Sequence, residues 1–198
     1  MSFRIEKKYK LTKSDKQLLQ FQLYGSGAKI LYPPRKVNSC YLDTNDLASF
    51  YDSEEGSLPR RKIRIRWYNN HKELFKETKT SSVEGRFKTV NEIKIKDFFK
   101  DFKYQFYDSK YGMVKSKLII SYQREYLSYK GIRITFDTSI NYLDLNGISR
   151  RNFVDTNNVM EIKSSINTPD DFLNNIIDMP TCRFSKYCRG TLLLNKSN

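Results

Sequence analysis

The stretch RRKIRIRWY, from Arg60 to Tyr68, constrains the fold of this chain more than any other. Successive side chains of a β-strand point to opposite faces, so this segment has one apolar face and one cationic face. The cationic face carries Lys62, Arg64 and Arg66. Neighbouring like charges on one sheet face repel each other. The pattern predicts a strand whose cations lie against an anion; a solvated basic edge strand is the alternative for this segment alone.

The same two-faced pattern recurs along the chain and predicts a mainly antiparallel β protein with a few helices. Alternation and turn residues predict about eight strands. Besides 60–68 they cover 3–11, 39–43, 74–81, 86–96, 118–126, 132–140 and 159–165. Amphipathic helices are predicted from a Ser14 cap to about Tyr24, at 47–51, at 98–107, from Thr168 onward, and in the C-terminal RFSKYCRGTLLL.

Two barrel architectures are consistent with these strands. In an ordinary small barrel the apolar faces fill the interior, and the ordered charges lie outside. In the alternative, a closed eight-stranded antiparallel barrel has a charged lumen, and the amphipathic helices pack on its apolar exterior. A charged lumen is costly unless a ligand and a metal neutralise it. We predict this second architecture, of class α+β, as a single domain over residues 1–198, because no linker or repeat interrupts the chain.

The composition points to a polyanionic partner. Lys and Arg number 36 against 22 Asp and Glu, which gives a net charge of +14. Such an excess favours nucleic acid, phosphate chains, nucleotides or an anionic membrane surface as partner. No apolar run approaches the ~18–20 residues of a membrane span, and the start MSFRIEKKYK has no signal-peptide core. We therefore expect a cytoplasmic protein.

Several chemistries are excluded by what the chain contains. The single histidine, His71, lies in a polar turn, and the cysteines Cys40, Cys182 and Cys188 have no metal-type spacing. Chemistry based on a histidine base or a histidine-rich zinc site is not expected. Proteins that bind single-stranded nucleic acid place aromatic side chains among the cations. Here Trp67 lies on the face opposite the arginines, so we do not expect nucleic acid as the partner.

Short motifs along nearly the whole chain resemble one known family. They are R-I-E-K-K-Y (4–9), Y-L-D-T (41–44), R-K-I-R-I-R-W-Y (61–68), E-T-K (77–79), S-Y-Q-R-E-Y (121–126), R-I-T-F-D (133–137), M-E-I-K (160–163) and R-F-S-K-Y (183–187). Each motif is short, but their order and spacing together are specific. By these motifs the chain resembles the VTC-domain polyphosphate polymerases of the CYTH-like triphosphate tunnel metalloenzyme superfamily.

The resemblance implies a fold, ligands and site residues. The fold is an eight-stranded tunnel that binds ATP or another triphosphate along its axis with Mn²⁺ or Mg²⁺, and inorganic polyphosphate is the product. By position, the implied catalytic phosphate ligands are Lys8, Arg64, Arg66, Lys79, Arg124, Lys163 and Lys186. Further implied substrate-binding residues are Arg4, Lys88, Arg133 and Ser185, and the implied metal ligands are Glu161, Glu6 and Glu77.

The chain departs from the family patterns at a few positions. The hydrolase and cyclase branch opens with E-x-E-x-K, whereas this chain has Arg4 at the first glutamate position, as the polymerases do. Glu6 is kept where the fungal-type polymerases lack it, and Ser81 stands where those enzymes carry histidine. Strict alternation groups Arg124 with Tyr122, so either a bulge turns Arg124 inward or its match is structural only.

These observations support three functional hypotheses. The first is a metal-dependent polyphosphate polymerase that uses ATP and releases ADP, a reaction that needs positioning and charge neutralisation more than a protein nucleophile. The second is a triphosphatase acting on inorganic triphosphate or a nucleoside triphosphate. The third is a non-catalytic module that binds polyanions. A pure binder has little use for acids such as Glu77 and Glu161 among its cations.

Lys62, Lys94 and Lys96 are interpreted as rim or outer charges.

Overall fold

The structure is a computed structural model that describes residues 4–146, 150–169, 171–172 and 176–195, without the side chain of Arg4. Its strands are β1 Arg4–Leu11, β2 Lys29–Asp43, β3 Arg60–Tyr68, β4 Leu74–Ser82, β5 Gly85–Ile93, β6 Gln105–Asp108, β7 Gly112–Tyr129, β8 Ile132–Asp144, β9 Asn152–Val154 and β10 Asn158–Ser165. Its helices are α1 Lys13–Gly25, α2 Ala48–Glu55, α3 Phe98–Asp101 and α4 Lys186–Asn195. The predicted class, mainly antiparallel β with few helices, is confirmed. No helix in the described ranges is long and apolar enough to cross a membrane.

The chain divides into two compact units. Unit 1 comprises Met1–Lys36, Tyr122–Ile140 and Asp155–Phe184, and unit 2 comprises Val37–Ser121, Asn141–Val154 and Ser185–Asn198. The strands β2, β7 and β8 contribute residues to both units. The interpretation of residues 1–198 as one domain stays a prediction.

Unit 1 is built around β1, β10 and β8, which pair in that order and antiparallel. Their apolar residues alternate onto one face, where Tyr9, Ile134 and Ile162 form a core with Leu19 and Leu23 of α1. Alternation therefore leaves Glu6, Lys8, Glu161 and Lys163 on the opposite face.

Unit 2 is built around β2, β3, β4 and β5, again in antiparallel order. Ile63, Ile65 and Trp67 of β3 are buried in a core with Phe98 and Val114. The two-faced strand predicted over residues 60–68 is thus confirmed, with its apolar face inside and its cations on the other side.

Several predicted elements differ from the structure in extent, among them the strand predicted over 118–126, which is β7 from Gly112 to Tyr129. Strand β2 begins at Lys29, ten residues before the predicted start, and runs through Pro33 and Pro34. The prolines lie in its exposed first half, where proline is tolerated because a missing N–H group there costs little. The predicted helix over 98–107 is instead the short α3 followed by β6. Phe102 ends α3 in the left-handed conformation, with φ of 59°.

The cap of α1 also differs from its prediction. Thr12, and not Ser14, precedes the helix, and the Thr12 side chain accepts a hydrogen bond from the backbone N–H of Asp15. The Asp15 carboxylate accepts one from the Thr12 N–H, which completes a capping box. The C-terminal helix is confirmed as α4. Of the helix predicted from Thr168, residues 171, 172 and 176 are helical in the structure. Residue 170 and residues 173–175 lie outside the described part.

Candidate functional site

In unit 2, opposite charges meet on the face of β3 that points away from the core. We call Arg64, Arg66, Glu77 and Lys88 the β3 cluster. Arg64 donates to one Glu77 oxygen through Nε and Nη2, at 2.8 and 2.6 Å, and Arg66 Nη1 lies 3.5 Å from that oxygen. Lys88 donates to the other oxygen at 2.8 Å. Three cations thus share one carboxylate.

The cations keep the Glu77 carboxylate ionised. Glu77 is 4% exposed, and this burial by itself raises its pKa. Arg64, Arg66 and Lys88 outweigh the burial and lower the pKa of Glu77 from 4.5 to about 2. Glu77 is therefore an anion at neutral pH, and the β3 cluster carries more positive than negative charge.

A second group of cations continues along the same face of unit 2. Lys62 pairs with Lys79 across β3 and β4, and Lys79 pairs with Lys88 across β4 and β5, so the three lysines form a row. Lys62 Nζ donates to Ser185 Oγ at 2.9 Å. Ser185 precedes α4, where its hydroxyl accepts from the Cys188 N–H, and Lys186 is half-buried in the first turn. Lys62, expected as a rim charge, therefore contacts a predicted substrate-binding residue.

Unit 1 carries a different arrangement on the charged face of β1 and β10. We call Glu6, Lys8, Glu161 and Lys163 the β10 cluster. Glu6 pairs with Lys163 and Lys8 pairs with Glu161 across the two strands. Lys163 Nζ lies 2.9 Å from Glu161 and 3.8 Å from Glu6, and Lys8 Nζ lies 3.2 Å from Glu6. Two lysines and two carboxylates therefore alternate and balance one another.

The Glu161 carboxylate is nearly buried, at 8% exposure. Its burial and the neighbouring Glu6 raise its pKa, but Lys163, Lys8 and Arg124 outweigh them, so the pKa of Glu161 is lowered. Glu161 is therefore available as an anionic oxygen ligand at neutral pH.

The acidic residues fit only one type of Mg²⁺ or Mn²⁺ site, a site with few ligands from the protein. Among the residues that the structure describes, no three His, Cys, Asp or Glu side chains come together as a possible metal site. Mg²⁺ commonly uses one or two protein carboxylates and takes its other ligands from phosphate and water. Glu161 and Glu6 match that donor set, with Lys163 2.9 Å from Glu161 and Lys8 3.2 Å from Glu6. Both Glu77 oxygens accept hydrogen bonds from cations.

Arg124 of β7 lies opposite Asp137 of β8 in unit 1. Its Nε and Nη2 donate to the two Asp137 oxygens at 2.5 and 2.7 Å. Burial lowers the pKa of Arg124, but Asp137 raises it well above the usual value. Arg124 shares its face with Tyr122, whose ring lies 5.2 Å from the guanidinium carbon. The alternation along β7 is as predicted, and Arg124 reaches a charged partner from that face.

The remaining predicted residues fall into the two units separately. Arg133 of β8 is half-buried and pairs with Lys163 of β10 in unit 1, whereas Lys79 is exposed in unit 2. Arg4 lies in β1, but its side chain lies outside the described residues. The structure thus brings together Arg64, Arg66, Glu77 and Lys88 in unit 2, and Glu6, Lys8, Glu161 and Lys163 in unit 1. The functional assignment of all these residues stays a prediction.

Sequence reasoning missed several residues that contact the predicted ones. Tyr41 accepts a hydrogen bond from the predicted Arg64 and stacks on Tyr187, which in turn donates to Asp43. Tyr41 and Asp43 lie in Y-L-D-T and Tyr187 ends R-F-S-K-Y, so motif membership is the signal that marks them. Thr135 was also missed: it pairs with Glu161 across β8 and β10 and is 3% exposed.

Comparison with known proteins gives one family and a set of similar folds. The sequence model of the VTC domain family matches residues 3–195. A "putative adenylate cyclase" from Bacillus halodurans is similar in structure, with a TM-score of 0.59 at 12% identity, over 93% of this chain and 94% of that one. A "conserved hypothetical protein" from Pyrococcus furiosus has a TM-score of 0.56 at 14% identity, over 94% of this chain and 99% of that one.

A third similar structure has a reported activity. It is a "putative adenylyl cyclase" from Hippeastrum, described as revealing a dominant triphosphatase activity. Its TM-score is 0.53 at 15% identity, over 96% of both chains. At these identities the similar structures show a shared fold. No curated protein sequence matches the chain significantly.

Proposed function

The chain belongs to the VTC domain family, and from that premise we propose that it is a metal-dependent polyphosphate polymerase. The enzyme would transfer the γ-phosphoryl group of ATP to a growing polyphosphate chain and release ADP. A cytoplasmic location and use of inorganic polyphosphate are part of the proposal. Nucleic acid is not expected as a partner, because Trp67 lies in the core, away from the cationic face.

The observation that carries the proposal is the β3 cluster. Arg64 and Arg66 lie on the face of β3 opposite its buried isoleucines, and they share Glu77 with Lys88. This arrangement leaves an excess of positive charge that a polyanion can neutralise. Arginine can bind two phosphate oxygens at once, whereas lysine supplies a point charge. The cluster therefore fits a chain of phosphates better than it fits a singly charged ligand.

The proposed roles follow the family positions. The catalytic phosphate ligands would be Lys8, Arg64, Arg66, Lys79, Arg124, Lys163 and Lys186. Further substrate contacts would come from Arg4, Lys88, Arg133 and Ser185. The metal ligands would be Glu161, Glu6 and Glu77. All three have the donor chemistry for Mn²⁺ or Mg²⁺, and each would have to exchange a cationic partner for the metal: a lysine at Glu161 and Glu6, and Arg64 and Lys88 at Glu77.

The reaction requires little covalent chemistry from the protein. A terminal oxygen of the polyphosphate chain attacks the γ-phosphorus of ATP, and the bond from that phosphorus to the β–γ bridging oxygen breaks. The attacking oxygen is already ionised, so no histidine or cysteine base is needed. The cations hold the phosphates in line and neutralise the charge on the transferred group. A bound Mn²⁺ or Mg²⁺ would stabilise the charge that develops on the ADP oxygen.

Incubation of the purified protein with ATP and Mn²⁺ tests the proposal. A gel stained for polyphosphate, together with an ADP assay and a free-phosphate assay, separates the alternatives. A ladder with ADP supports the polymerase. Free phosphate without a ladder indicates a triphosphatase, the reaction reported for the Hippeastrum protein. Binding of ATP without turnover indicates a binding module, and either of these last results contradicts the polymerase.

Glu161→Gln provides the matching variant. It keeps the shape of the side chain and removes the charge, so it should abolish turnover and largely spare nucleotide binding. Glu125→Gln is the control, because Glu125 lies on β7 and binds Lys16 and Gln20 of α1. Unchanged turnover in Glu161→Gln would remove Glu161 from the metal site.

A further inference from the structure

A pair of stacked tyrosines joins α4 to β2 in unit 2. Tyr41 of β2 and Tyr187 of α4 lie with ring centroids 5.0 Å apart and planes 11° apart. Both are buried, at 8% and 1% exposure. Tyr187 Oη donates to Asp43 Oδ2 at 2.5 Å. The ring of Tyr187 is therefore held by its stacking on Tyr41 and by this hydrogen bond.

The carboxylate of Asp43 anchors this arrangement. Asp43 is fully buried, and its Oδ1 accepts from the backbone N–H groups of Thr44 and Ser49 at 2.8 and 2.9 Å. Its Oδ2 accepts from the Phe50 N–H at 2.9 Å as well as from Tyr187. One carboxylate therefore fixes the start of α2 and the ring of Tyr187 together, and such fully satisfied buried networks are rigid.

The hydroxyl of Tyr41 contacts Arg64 from the side opposite Glu77. Arg64 Nη1 donates to Tyr41 Oη at 2.8 Å, and the guanidinium carbon lies 5.7 Å from the Tyr41 ring centroid. Nε and Nη2 of the same guanidinium donate to Glu77. The guanidinium is thus held between the Glu77 carboxylate and the Tyr41 hydroxyl.

We propose that Tyr41 is a positioning residue for Arg64, and that Tyr187 and Asp43 hold Tyr41 in place for this purpose. The proposal rests on the proposed function, because it takes Arg64 to be a phosphate ligand. An arriving phosphate competes with Glu77 for the guanidinium as an anion. Tyr41 and Glu77 bind different nitrogens of the guanidinium, so the Tyr41 hydroxyl can keep the orientation of Arg64 while the anionic partner changes. A side chain that is already ordered loses less entropy when its ligand binds.

The electrostatic surroundings of Tyr41 support the contact. Burial raises the pKa of the Tyr41 phenol, but Arg64, Arg66 and Lys62 of β3 outweigh it, so the pKa is lowered. The phenol of Tyr187, by contrast, has its pKa raised well above the usual value by burial and by Asp43. Tyr41 therefore lies in the field of the same cations that are proposed to bind phosphate.

A double-mutant cycle tests whether Tyr41 acts through Arg64. The affinity for inorganic triphosphate is measured by calorimetry for the wild type, Tyr41→Phe, Arg64→Ala and the double variant. Tyr41→Phe keeps the stacked ring and removes the hydroxyl, and we expect it to weaken binding about tenfold. In the Arg64→Ala background the same change should weaken binding less than about twofold, because its partner is absent. Tyr107→Phe is the control, since Tyr107 is 73% exposed on β6.

Tyr187→Phe is a second variant that bears on the same link. It keeps the stacked ring and loses the hydrogen bond to Asp43, so a smaller loss of affinity is expected, again absent in the Arg64→Ala background. Thermal unfolding of each variant checks that it is folded. An equal loss from Tyr41→Phe in both backgrounds would assign Tyr41 a merely structural role and overturn the inference, as would no loss in either. If the wild type does not bind triphosphate, or Arg64→Ala binds as well as wild type, the proposed function fails together with this inference.

Discussion

The two charge clusters of this protein differ in balance. The β3 cluster of unit 2 gathers three cations around Glu77, and its row of lysines adds more positive charge. The β10 cluster of unit 1 matches Lys8 and Lys163 with Glu6 and Glu161. A cation excess is stabilised by any polyanion that arrives, whereas a balanced set must break an internal ion pair to bind one. We propose that the β3 cluster mainly binds anions, whereas the β10 cluster combines phosphate contacts from its lysines with metal ligands from its glutamates.

The largest expected effect concerns an ion pair of unit 1. Arg124→Ala leaves the Asp137 carboxylate, which is fully buried, without its bidentate partner. Removal of one member of a buried pair costs about 3–5 kcal/mol of unfolding free energy. Urea unfolding of the ligand-free protein measures this loss. The matching variant of unit 2, Arg66→Ala, should lose less, because Glu77 keeps Arg64 and Lys88.

The same pair offers a control for charge burial. The double variant Arg124→Met, Asp137→Leu replaces both charges by apolar side chains, and such replacements are often close to neutral in stability. If the double variant is as unstable as Arg124→Ala, the loss comes from packing around β7 and β8. Equal losses in Arg124→Ala and Arg66→Ala would remove the distinction between the two units.

The second effect is a pH dependence that belongs to the β3 cluster. The pKa of Glu77 is lowered from 4.5 to about 2 in the folded protein. A carboxylate with a lowered pKa stabilises the folded state above its unfolded pKa, and this stabilisation is lost as the pH falls through the folded pKa. The contribution of Glu77 is therefore complete above about pH 4.5 and disappears toward pH 2, and it is on the order of 3 kcal/mol.

Unfolding free energies of the wild type and Glu77→Gln, measured by urea titration from pH 6 downward, test this dependence. The difference between the two proteins should shrink as the pH falls below about 4.5. Glu73→Gln serves as the control, because Glu73 is exposed in the turn before β4. A difference that stays constant with pH would mean that the cations do not hold Glu77 ionised.

The third effect measures binding by the cation excess. Arg66→Ala should weaken inorganic triphosphate binding by about 1.5–3 kcal/mol, the range for hydrogen bonds to charged groups. Glu77→Gln should act in the opposite direction, since it frees Arg64 and Arg66 from their internal anion. Calorimetry on both variants, with the exposed Arg150→Ala as control, checks the signs. Unchanged affinity in Arg66→Ala would place Arg66 outside the site.

The sequence predicted the faces of strands better than their ends or their partners. Arg64 and Arg66 were correctly placed on the face opposite Ile63 and Ile65, because successive side chains of a strand alternate between its two faces. The burial of the isoleucines then fixes which face is inside. The start of β2 was missed because the two prolines look like a break, although an exposed strand tolerates them. The helix predicted over 98–107 failed because phenylalanines at helical spacing also fit a short turn that feeds a strand.

The contacts between distant segments could not be predicted in the same way. Tyr187 and Asp43 are 144 residues apart in sequence, and only the docking of α4 brings them together. These residues lie within the family motifs, but no role was assigned to them from the sequence, because the distinction between a residue that binds ligand and one that holds its neighbour depends on the geometry.

The smallest effect concerns Thr135, which lies beside the balanced cluster. Its hydroxyl is buried opposite Glu161 and has no hydrogen-bond partner among the described residues. A buried hydroxyl without a partner costs about 1–3 kcal/mol, and Thr135→Val removes it while the side chain keeps nearly the same shape. We expect the ligand-free variant to be as stable as the wild type or more stable by up to about 1 kcal/mol. Urea unfolding checks this, and Thr89→Val on the exposed β5 is the control.

The sign of the Thr135 effect sharpens the comparison of the two units. If Thr135→Val is more stable but binds triphosphate with Mn²⁺ more weakly, the hydroxyl serves the ligand, and the β10 cluster is completed only when the ligand binds. A loss of stability would instead show that the hydroxyl has a partner within the folded protein. The β10 cluster would then be complete in the free protein, and its difference from the β3 cluster, which we propose binds an external anion, would be larger still.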